Sequence, residues 1–535
     1  MIGRRLTVAF LLSLPLSAAV SAQQDRVRTG QAHGNANAIT SDELRDFLSF
    51  IASDATEGRG TPSHGLDTTA VFIASHLSRW NVQSAVDDRT YLQRIALTRT
   101  RIDPSTTYTD LNGRRFLFGK DFIVNVFPGT FAGPLVYVSH GWVIKSKKID
   151  PYEGLDVKDK IVIVAESGLP AGITRADLRG NQGDDWEAPQ PALRRRGAKA
   201  MIVIPSFGPL AEWSRRVRDG ADEGIVAVAG TGVRLPLPVL RPSVEMFQAL
   251  FDGEPQAAAV LFKGAAAGDP APPFALSPAK RLTLHVGTRS DSLRTQNVIG
   301  VVEGSDPVLK KEFVTISAHY DHLGIGAPVN GDSIYNGADD DGSGTAAVMA
   351  IAKAFGLGPR PKRSVLFIWH CGEEHMRWGS AYFVQHPTVP LAQIVADLNI
   401  DMIGRTRTTQ TDTAKWTVVK PGEIYVIGSR RLSRELGDIS DAVNQSYLRL
   451  ALNYRFDAPD DSSQLFLRSD QYSYAEKGIP VIFYYGGDHE DYHQPSDTFD
   501  KIDYQNMQNV ARTVYATAWE LANRPQRPHL DQPRP

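Results

Sequence analysis

Five short segments of the sequence carry side chains that bind divalent metal ions. In chain order they are 318–324 (AHYDHLG), 336–344 (NGADDDGSG), 371–374 (CGEE), 399–401 (NID) and 491–493 (DYH). Imidazole and carboxylate groups are the ligands of catalytic zinc, which activates water for hydrolysis. One such segment alone is more typical of a turn or a solvated charge. So many carboxylates in one place, however, repel one another unless cations neutralise them, so the five together indicate a hydrolytic centre with two zinc ions.

These segments follow predicted strands. Short runs rich in Val and Ile predict strands at 313–318, 364–369, 394–400, 423–427 and 480–485. Helices are predicted to begin near Ser343 and Arg377, and the last helix covers 504–522. This alternation predicts an α/β fold, with a mostly parallel mixed sheet flanked by helices on both faces. Ligands bind outside the carboxyl ends of the strands in such sheets, so the five segments are predicted to meet there.

The rest of the chain divides into segments of different character. Two arginines, an apolar run and small residues before Gln23 are typical of an export signal. Thr40 and Glu43 have capping-box spacing, so helical structure is predicted from there, and a glycine-rich segment, 57–65, follows the first helix. The predicted organisation is a signal peptide (1–22), a mobile leader (23–39), the main domain (40–118 and 280–523), a strand-rich insert (119–279) and a disordered tail (524–535).

The overall composition excludes several classes of protein. The 58 Lys and Arg residues and 60 Asp and Glu residues give a net charge of −2, so no strong basic field exists to bind nucleic acid or an anionic membrane. The single cysteine, Cys371, excludes an intramolecular disulfide and an all-cysteine metal site. The apolar run at 6–20 is too short and too interrupted for a good membrane span. We therefore expect an exported protein, periplasmic or extracellular, with no membrane span in the mature chain.

The ordered set of segments resembles a known family. The order His-x-Asp, Gly-x-x-Asp-Asp-x-Ser-Gly, Glu-Glu, Ile-Asp-Met, Tyr-His is similar to that of the co-catalytic di-zinc aminopeptidases, the relatives of bacterial leucyl aminopeptidase and glutamate carboxypeptidase. The resemblance covers about 40–115 and 280–522, and the insert resembles the protease-associated domain that many members carry. The resemblance implies a zinc exopeptidase fold and two zinc ions per chain. The implied ligands are His319 and Asp401 for one ion, Glu374 and His493 for the other, and Asp340 as the bridge.

The resemblance also implies the catalytic roles. Glu373 would be the general base, which takes a proton from the attacking water and passes it to the leaving amine. Asp321 is placed to orient the imidazole of His319. Tyr492 precedes a ligand, as does a tyrosine that stabilises the oxyanion in some relatives, and simple packing is an equally good interpretation. The residues interpreted as turn, structural or supporting groups rather than ligands are Asp339, Asp341, His322, His370 and His375.

The predicted function is an exported zinc-dependent aminopeptidase that acts on peptides with a free N-terminus. The main alternative is a related di-zinc carboxypeptidase or deacylase, because the glutamate carboxypeptidase branch also carries the insert. A third interpretation is a receptor-type binding protein that has lost its ligands, although this chain keeps every matching ligand and the base. The sequence does not predict the preferred terminal residue or the oligomeric state.

Overall fold

The computed structural model describes residues 33–165, 168–178, 180–231, 237–458, 461 and 463–532. The predicted signal peptide, 1–22, and residues 23–32 of the predicted leader lie outside this description. The chain forms two compact units. The first contains the described parts of Met1–Ile95 and Arg294–Pro535, and the second is Ala96–Leu293. All five segments with predicted metal ligands belong to the first unit.

The first unit is built on a mixed sheet whose middle strands are parallel. In chain order its main strands are β1 Leu92–Ile102, β2 Thr288–Val302, β3 Phe313–His319, β4 Ser364–His370, β5 Ile394–Asp401, β6 Glu423–Ile427, β7 Ala451–Asn453 and β8 Val481–Tyr485. Their spatial order is β1-β2-β4-β3-β5-β8-β6-β7, and the short strand Gln83–Ser84 also pairs with β2. Strands β4, β3, β5 and β8 are parallel neighbours, whereas β2 and β6 pair antiparallel with β4 and β8. The predicted mostly parallel sheet is confirmed.

Helices cover both faces of this sheet. They are α1 Ser41–Ile51, α2 His64–Arg79, α3 Gly344–Gly356, α4 Trp378–Gln385, α5 Arg434–Ser446, α6 Gln471–Ala475 and α7 Tyr504–Asn523. On β4, Phe367 packs on Phe355 of α3, with ring centroids 6.0 Å apart. Leu366 and Ile368 instead share a buried cluster with Phe383 of α4. Because successive side chains of a strand point to opposite faces, α3 and α4 lie on opposite faces of the sheet.

The first two helices begin where side chains cap them. The hydroxyl of Thr40 accepts a hydrogen bond from the amide of Glu43, so α1 begins at the predicted position. Helix α2 begins at His64, where the hydroxyl of Ser63 accepts a hydrogen bond from the amide of Leu66. The glycine-rich segment 57–65 joins these two helices.

The second unit is strand-rich and has its own core. Its sheet, in spatial order, consists of Arg114–Leu117, Tyr108–Leu111, Arg281–Val286, Gly129–Tyr137, Ile161–Val164, Ala200–Val203, Val239–Pro242 and Phe122–Val124. Its helices are Pro189–Arg195, Phe207–Ala211, Trp213–Arg218, Val244–Phe251 and Ala258–Ala266. Ile163, Ile202, Leu240 and Leu282 belong to one buried cluster of this unit. That the unit is a protease-associated domain stays a prediction.

The boundaries of the inserted unit differ from the predicted 119–279. The unit begins at Ala96 and ends at Leu293. Strand Tyr108–Leu111 pairs with Arg281–Val286, so residues assigned to the main domain on sequence grounds complete the sheet of the insert. Hydrophobic alternation predicts that a strand exists, but it does not reveal which of two sheets the strand joins.

Both end segments carry contacts that their polar composition did not predict. In the predicted mobile leader, 23–39, the amide of Asn35 donates a hydrogen bond to the hydroxyl of Tyr515 at 3.0 Å. In the predicted disordered tail, 524–535, Arg527 donates to a carboxylate oxygen of Glu312 at 2.8 Å. In the described parts of these segments, 33–39 and 524–532, tertiary hydrogen bonds thus join the chain to the main domain; residues 533–535 lie outside the description. In the described part of the chain, no helix has the length and apolar character needed to cross a membrane.

Candidate metal centre

The predicted ligands lie at one edge of the main sheet. His319 is the last residue of β3, and Asp401 is the last residue of β5. Glu374 follows β4, Asp340 lies in the loop before α3, and His493 follows β8. Since β3, β4, β5 and β8 are parallel, their carboxyl ends all reach this edge, as the topology requires.

One group of potential ligands consists of His319, Asp340 and Asp401. The Nε2 atom of His319 lies 3.3 Å from Oδ1 of Asp340 and 3.6 Å from Oδ2 of Asp401. One ligand atom from each residue lies within 4.8 Å of the others. A metal ion between these atoms would have one nitrogen and two oxygen ligands, which suits zinc.

A second group contains His322, Asp340, Glu374 and His493. The Nε2 atom of His493 lies 3.0 Å from Oδ2 of Asp340 and 3.3 Å from Oε2 of Glu374. On the other side, Nδ1 of His322 lies 2.9 Å from Oε1 of Glu374. The ligand atoms of this group also lie within 4.8 Å of one another. Asp340 therefore belongs to both groups, one carboxylate oxygen facing each.

The ring nitrogens of the two groups lack ordinary partners. Among the described residues, Nε2 of His319, Nδ1 of His322, Nε2 of His493 and Oε1 of Glu374 are buried and make no hydrogen bond of good geometry. Burying polar atoms without a partner costs free energy, so such atoms usually have one. A pair of metal ions fits these nitrogen and oxygen donors, because the atoms are suitably spaced and lack hydrogen-bond partners.

Asp321 fixes the direction of the His319 ring. The Nδ1 atom of His319 lies 3.2 Å from the carbonyl oxygen of Asp321 and 3.5 Å from its Oδ1. A proton on Nδ1 leaves Nε2 free to bind metal. The carboxylate of Asp321 also accepts hydrogen bonds from the hydroxyl of Thr61 and the amide of Glu373. One side chain thus links a ligand histidine to the segment that carries the predicted base.

Asp339 and Asp341 turn away from the ligand groups and support the loop. Oδ1 of Asp341 accepts hydrogen bonds from the amides of Gly344, at 2.8 Å, and Met402, at 3.1 Å. Oδ1 of Asp339 accepts one from the amide of Gly404 at 2.6 Å. The loop around Asp340 is thereby tied to the segment that follows β5.

Glu373 faces a cavity of about 100 Å³ beside the ligands. The cavity is lined by Asp340, Glu373, Asp401, Met402, Leu465, Arg468, Ser469, Phe483, Tyr485, Asp488 and Tyr492. Burial raises the pKa of Glu373 well above its usual value, and the neighbouring Asp470, Asp401 and Glu374 add to this effect. A carboxylate whose pKa is raised is better matched to accept a proton near neutral pH.

Tyr492 also lines this cavity, beside a ligand. Its ring stacks on that of His493, with centroids 3.9 Å apart. Burial raises the pKa of Tyr492, so its phenol keeps its proton and remains a hydrogen-bond donor. The position satisfies both interpretations made from the sequence, packing against the ligand and donation into the cavity.

The acidic neighbours raise the pKa values of the ligand histidines. Burial disfavours the charged form of His493, but the nearby carboxylates of Asp340 and Glu374 outweigh burial and raise its pKa to about 10. Burial opposes the charge of His319 in the same way, but the neighbouring aspartates raise its pKa well above its usual value. The carboxylates therefore make this place strongly favourable to cations.

The remaining singled-out residues lie outside the two ligand groups. His370 is buried, its Nε2 lies 3.0 Å from the hydroxyl of Tyr474, and burial lowers its pKa to about 3. His375 is exposed and stacks on Trp378. Cys371 is buried, and burial raises the pKa of its thiol, which disfavours the reactive thiolate.

Three residues of the site have positions that sequence reasoning did not assign. His322 belongs to a ligand group, although the sequence analysis interpreted it as a structural or supporting residue. The hydroxyl of Ser469 donates a hydrogen bond to Oδ2 of Asp401 at 2.6 Å, and Arg468 lines the cavity. The available signal was the polar run 468–470 after an apolar segment, but no spacing rule connects that run to the metal ligands.

Comparison with known proteins relates the segment that contains this site to a peptidase family. Residues 297–518 match the family model described as Peptidase family M28. This segment contains all the predicted metal ligands and is similar to the M28 peptidases. Its similarity to a probable leucine aminopeptidase of Arthroderma otae is 26% identity over 256 residues, 43% of this chain and 64% of the relative. Its similarity to aminopeptidase YwaD of Bacillus subtilis is 26% over 261 residues, 48% of this chain and 50% of the relative. The matches thus cover between half and two thirds of these relatives.

Solved structures share the fold of this chain. An aminopeptidase from Aneurinibacillus sp. strain AM-1 superposes with a TM-score of 0.51 and 18% identity, covering 94% of this chain and all (100%) of the other. A zinc aminopeptidase from Bacillus subtilis gives a TM-score of 0.50 and 18% identity, covering 91% of this chain and 96% of the other. At this identity the likeness concerns the fold alone.

The position of His322 among the potential ligands predicts that two histidines differ in their effect on zinc affinity. We expect His322→Ala to weaken zinc affinity by about tenfold or more, because it removes a nitrogen next to Glu374. His375→Ala, at an exposed ring outside the groups, is the matched control and should leave zinc affinity unchanged. Competition with a chromogenic chelator measures both values. Equal affinity in the two variants would exclude His322 from the metal centre.

Proposed function

We propose that this protein is an exported di-zinc aminopeptidase that removes N-terminal residues from peptides. The observation that carries the proposal is the shared position of Asp340, which belongs to both groups of potential ligands. A carboxylate between two sets of nitrogen and oxygen donors is what a bridged metal pair needs. The similarity to a probable leucine aminopeptidase and to an aminopeptidase supports the choice of reaction.

The proposed ligands are five of the six residues in the two groups, and the sixth, His322, lies beside Glu374. His319 and Asp401 would hold one zinc ion, Glu374 and His493 would hold the other, and Asp340 would be common to both. The zinc ions, when bound, supply Lewis acidity that polarises the scissile carbonyl and makes water a nucleophile near neutral pH.

The side chains of the cavity perform the proton transfers. Glu373 lines the same cavity as Asp340 and Asp401, so its carboxylate faces the place where water and substrate meet. It takes a proton from the attacking water and gives it to the leaving amine. The phenol of Tyr492 is placed to donate a hydrogen bond to the oxyanion that develops on the carbonyl oxygen. Asp321 holds His319 in the tautomer that binds metal.

A carboxypeptidase is the second candidate function, and the position of one residue, Arg468, supports it. Arg468 is exposed at the cavity and makes no ion pair within the described part of the chain. A guanidinium in this position suits a substrate carboxylate, which it can bind through two parallel hydrogen bonds. If Arg468 bound the C-terminal carboxylate of a peptide, the peptide would lie in the opposite direction, and residues would be removed from its C-terminal end.

Export is the remaining part of the proposal, and it rests on the sequence. The apolar run at 6–20 and the small residues before Gln23 are typical of a cleaved signal peptide. The single cysteine, which is buried, agrees with a protein that folds without disulfides in either compartment.

The neighbouring glutamates provide the first test. Glu373→Gln should reduce kcat by about 10²- to 10⁴-fold while two zinc ions stay bound, because only the base is lost. Glu374→Gln should instead lower zinc content, since it removes a ligand. Glu476→Gln, at an exposed position, is the control for the substitution itself. Zinc analysis and initial rates distinguish the three, and a fully active Glu373→Gln would remove Glu373 from its role.

The direction of cleavage is tested with one peptide in three forms. A peptide with both termini free and one with an amidated C-terminus should lose residues from the N-terminal end, whereas an acetylated N-terminus should block cleavage. Mass spectrometry of the products gives the direction, and chelator treatment should stop the reaction. Loss of residues from the C-terminal end of the acetylated peptide would support the carboxypeptidase instead.

Export is tested by the mass of the protein recovered from a bacterial host. We expect a mature chain that begins at Gln23 and is found outside the cytoplasm. An intact N-terminus in the cytoplasmic fraction would contradict export and leave the catalytic proposal unaffected.

A further inference from the structure

The glycine-rich segment 57–65 has no part in the proposed chemistry, yet its arginine lies against the metal centre. Arg59 is fully buried, with 0% of its surface exposed. Its guanidinium donates to the carbonyl oxygens of Tyr320, at 2.9 Å, Ile51 and Asn336, each at 2.7 Å, and Gly337, at 2.8 Å. A buried arginine that donates to four carbonyl oxygens connects the backbone segments that carry those oxygens.

Three of these carbonyl groups belong to the segments that hold the ligands. Tyr320 lies between His319 and Asp321, and Asn336 and Gly337 lead into the loop that contains Asp340. In the opposite direction, the amide of His322 donates to the carbonyl oxygen of Arg59 at 3.1 Å. One residue therefore sets the spacing between the strand end with His319 and the loop with the shared Asp340.

The glycines beside Arg59 allow its backbone to touch the same segments. Gly58 has a φ of +64°, and a Cβ atom there would lie 2.5 Å from the carbonyl oxygen of Tyr335 and 2.6 Å from that of Gly324. A Cβ atom on Gly60 would lie 3.1 Å from Cα of Gly324. Glycine is therefore required at position 58, where a side chain would separate the segments, whereas a Cβ atom at position 60 would only press on Gly324.

The charge of Arg59 also acts on the carboxylates of the site. Burial lowers its pKa to about 10, and the charges of Asp321, Asp340, Asp341 and Asp497 oppose that effect. The guanidinium therefore stays charged at neutral pH. Its positive charge offsets part of the repulsion among these carboxylates.

We propose that Arg59 is a positioning residue of the metal centre, which holds His319 and the loop of Asp340 at the separation that metal binding requires. This inference rests on the proposed function, because it assumes that these residues bind zinc. It also extends the functional site beyond the family match, which begins at residue 297.

The experiment compares two buried arginines. Arg363, 1% exposed, also donates to backbone carbonyls, among them that of Leu521 at 3.1 Å, and it is the control. We expect Arg59→Met to weaken zinc affinity by about 10- to 100-fold, the usual effect of removing a group that orients ligands. Arg59→Lys should also weaken zinc affinity, because an ammonium cannot reproduce the planar set of donors. Arg363→Met should lower the thermal midpoint and leave zinc affinity within about threefold of the wild type.

Zinc affinity is measured by chelator competition at a temperature where circular dichroism shows every variant folded. Cobalt-substituted protein adds a spectroscopic signature, since a changed ligand spacing shifts the visible absorption bands of Co²⁺. Wild-type zinc affinity and cobalt spectrum in Arg59→Met or Arg59→Lys would overturn the proposal.

A second variant keeps the proposal testable if the Arg59 variants do not fold. Gly60 has a φ of −57°, which alanine adopts without strain, so Gly60→Ala only presses on Gly324. We expect weaker zinc binding from this small displacement, and wild-type affinity would overturn the inference. The wild type is measured first: a wild-type protein that binds no zinc contradicts the proposed function, whereas zinc binding that is insensitive at residues 59 and 60 contradicts only the role of Arg59.

Discussion

Repulsion between buried carboxylates is the constraint on which the metal centre depends. Asp340, Glu374 and Asp401 approach one another at the edge of the sheet, where burial strengthens the interaction between charges. The protein opposes the repulsion with imidazole rings at about 3 Å and with the guanidinium of Arg59 behind the loop. These groups allow the acidic side chains to be held at short distances in the folded chain. A divalent cation then meets ligands that are already in place, and little ordering remains for the binding step.

The parallel sheet explains how such ligands are held. A residue at the end of a buried strand has little freedom, and neighbouring strands fix its distance from the next ligand. Loop ligands need other restraints. The loop of Asp340 receives them from Asp339 and Asp341, which accept hydrogen bonds from amides beyond β5. On the opposite side it is held by Arg59. The loop that carries the shared ligand is therefore restrained from both sides.

The sequence predicted the parts of the fold and site that follow from local pattern and topology. Strands that end in His319 and Asp401 could be recognised by composition, and the rule for parallel sheets brought them to one edge. The place of His322 was not predictable, because the backbone conformation of the loop after β3 decides whether its ring joins the ligands or the core. Arg59 was not predictable either, since its partners are backbone carbonyls, which leave no trace in the sequence. The insert boundary was missed because strand pairing between distant segments has no local signal.

The position of the insert shows why the site can include residues so far apart in sequence. The inserted unit, Ala96–Leu293, leaves and re-enters the main sheet through β1 and β2, which are neighbours in it. Because the two ends of the insert lie side by side, its length does not separate 33–95 from the strands that follow. The entropic cost of closing a long loop grows only with the logarithm of its length. The contact between Arg59 and Tyr320 is therefore compatible with a long insert between them in the sequence. The unit that binds metal is then the whole of the first unit, and the part matched by the family model is only the portion that contains the ligands.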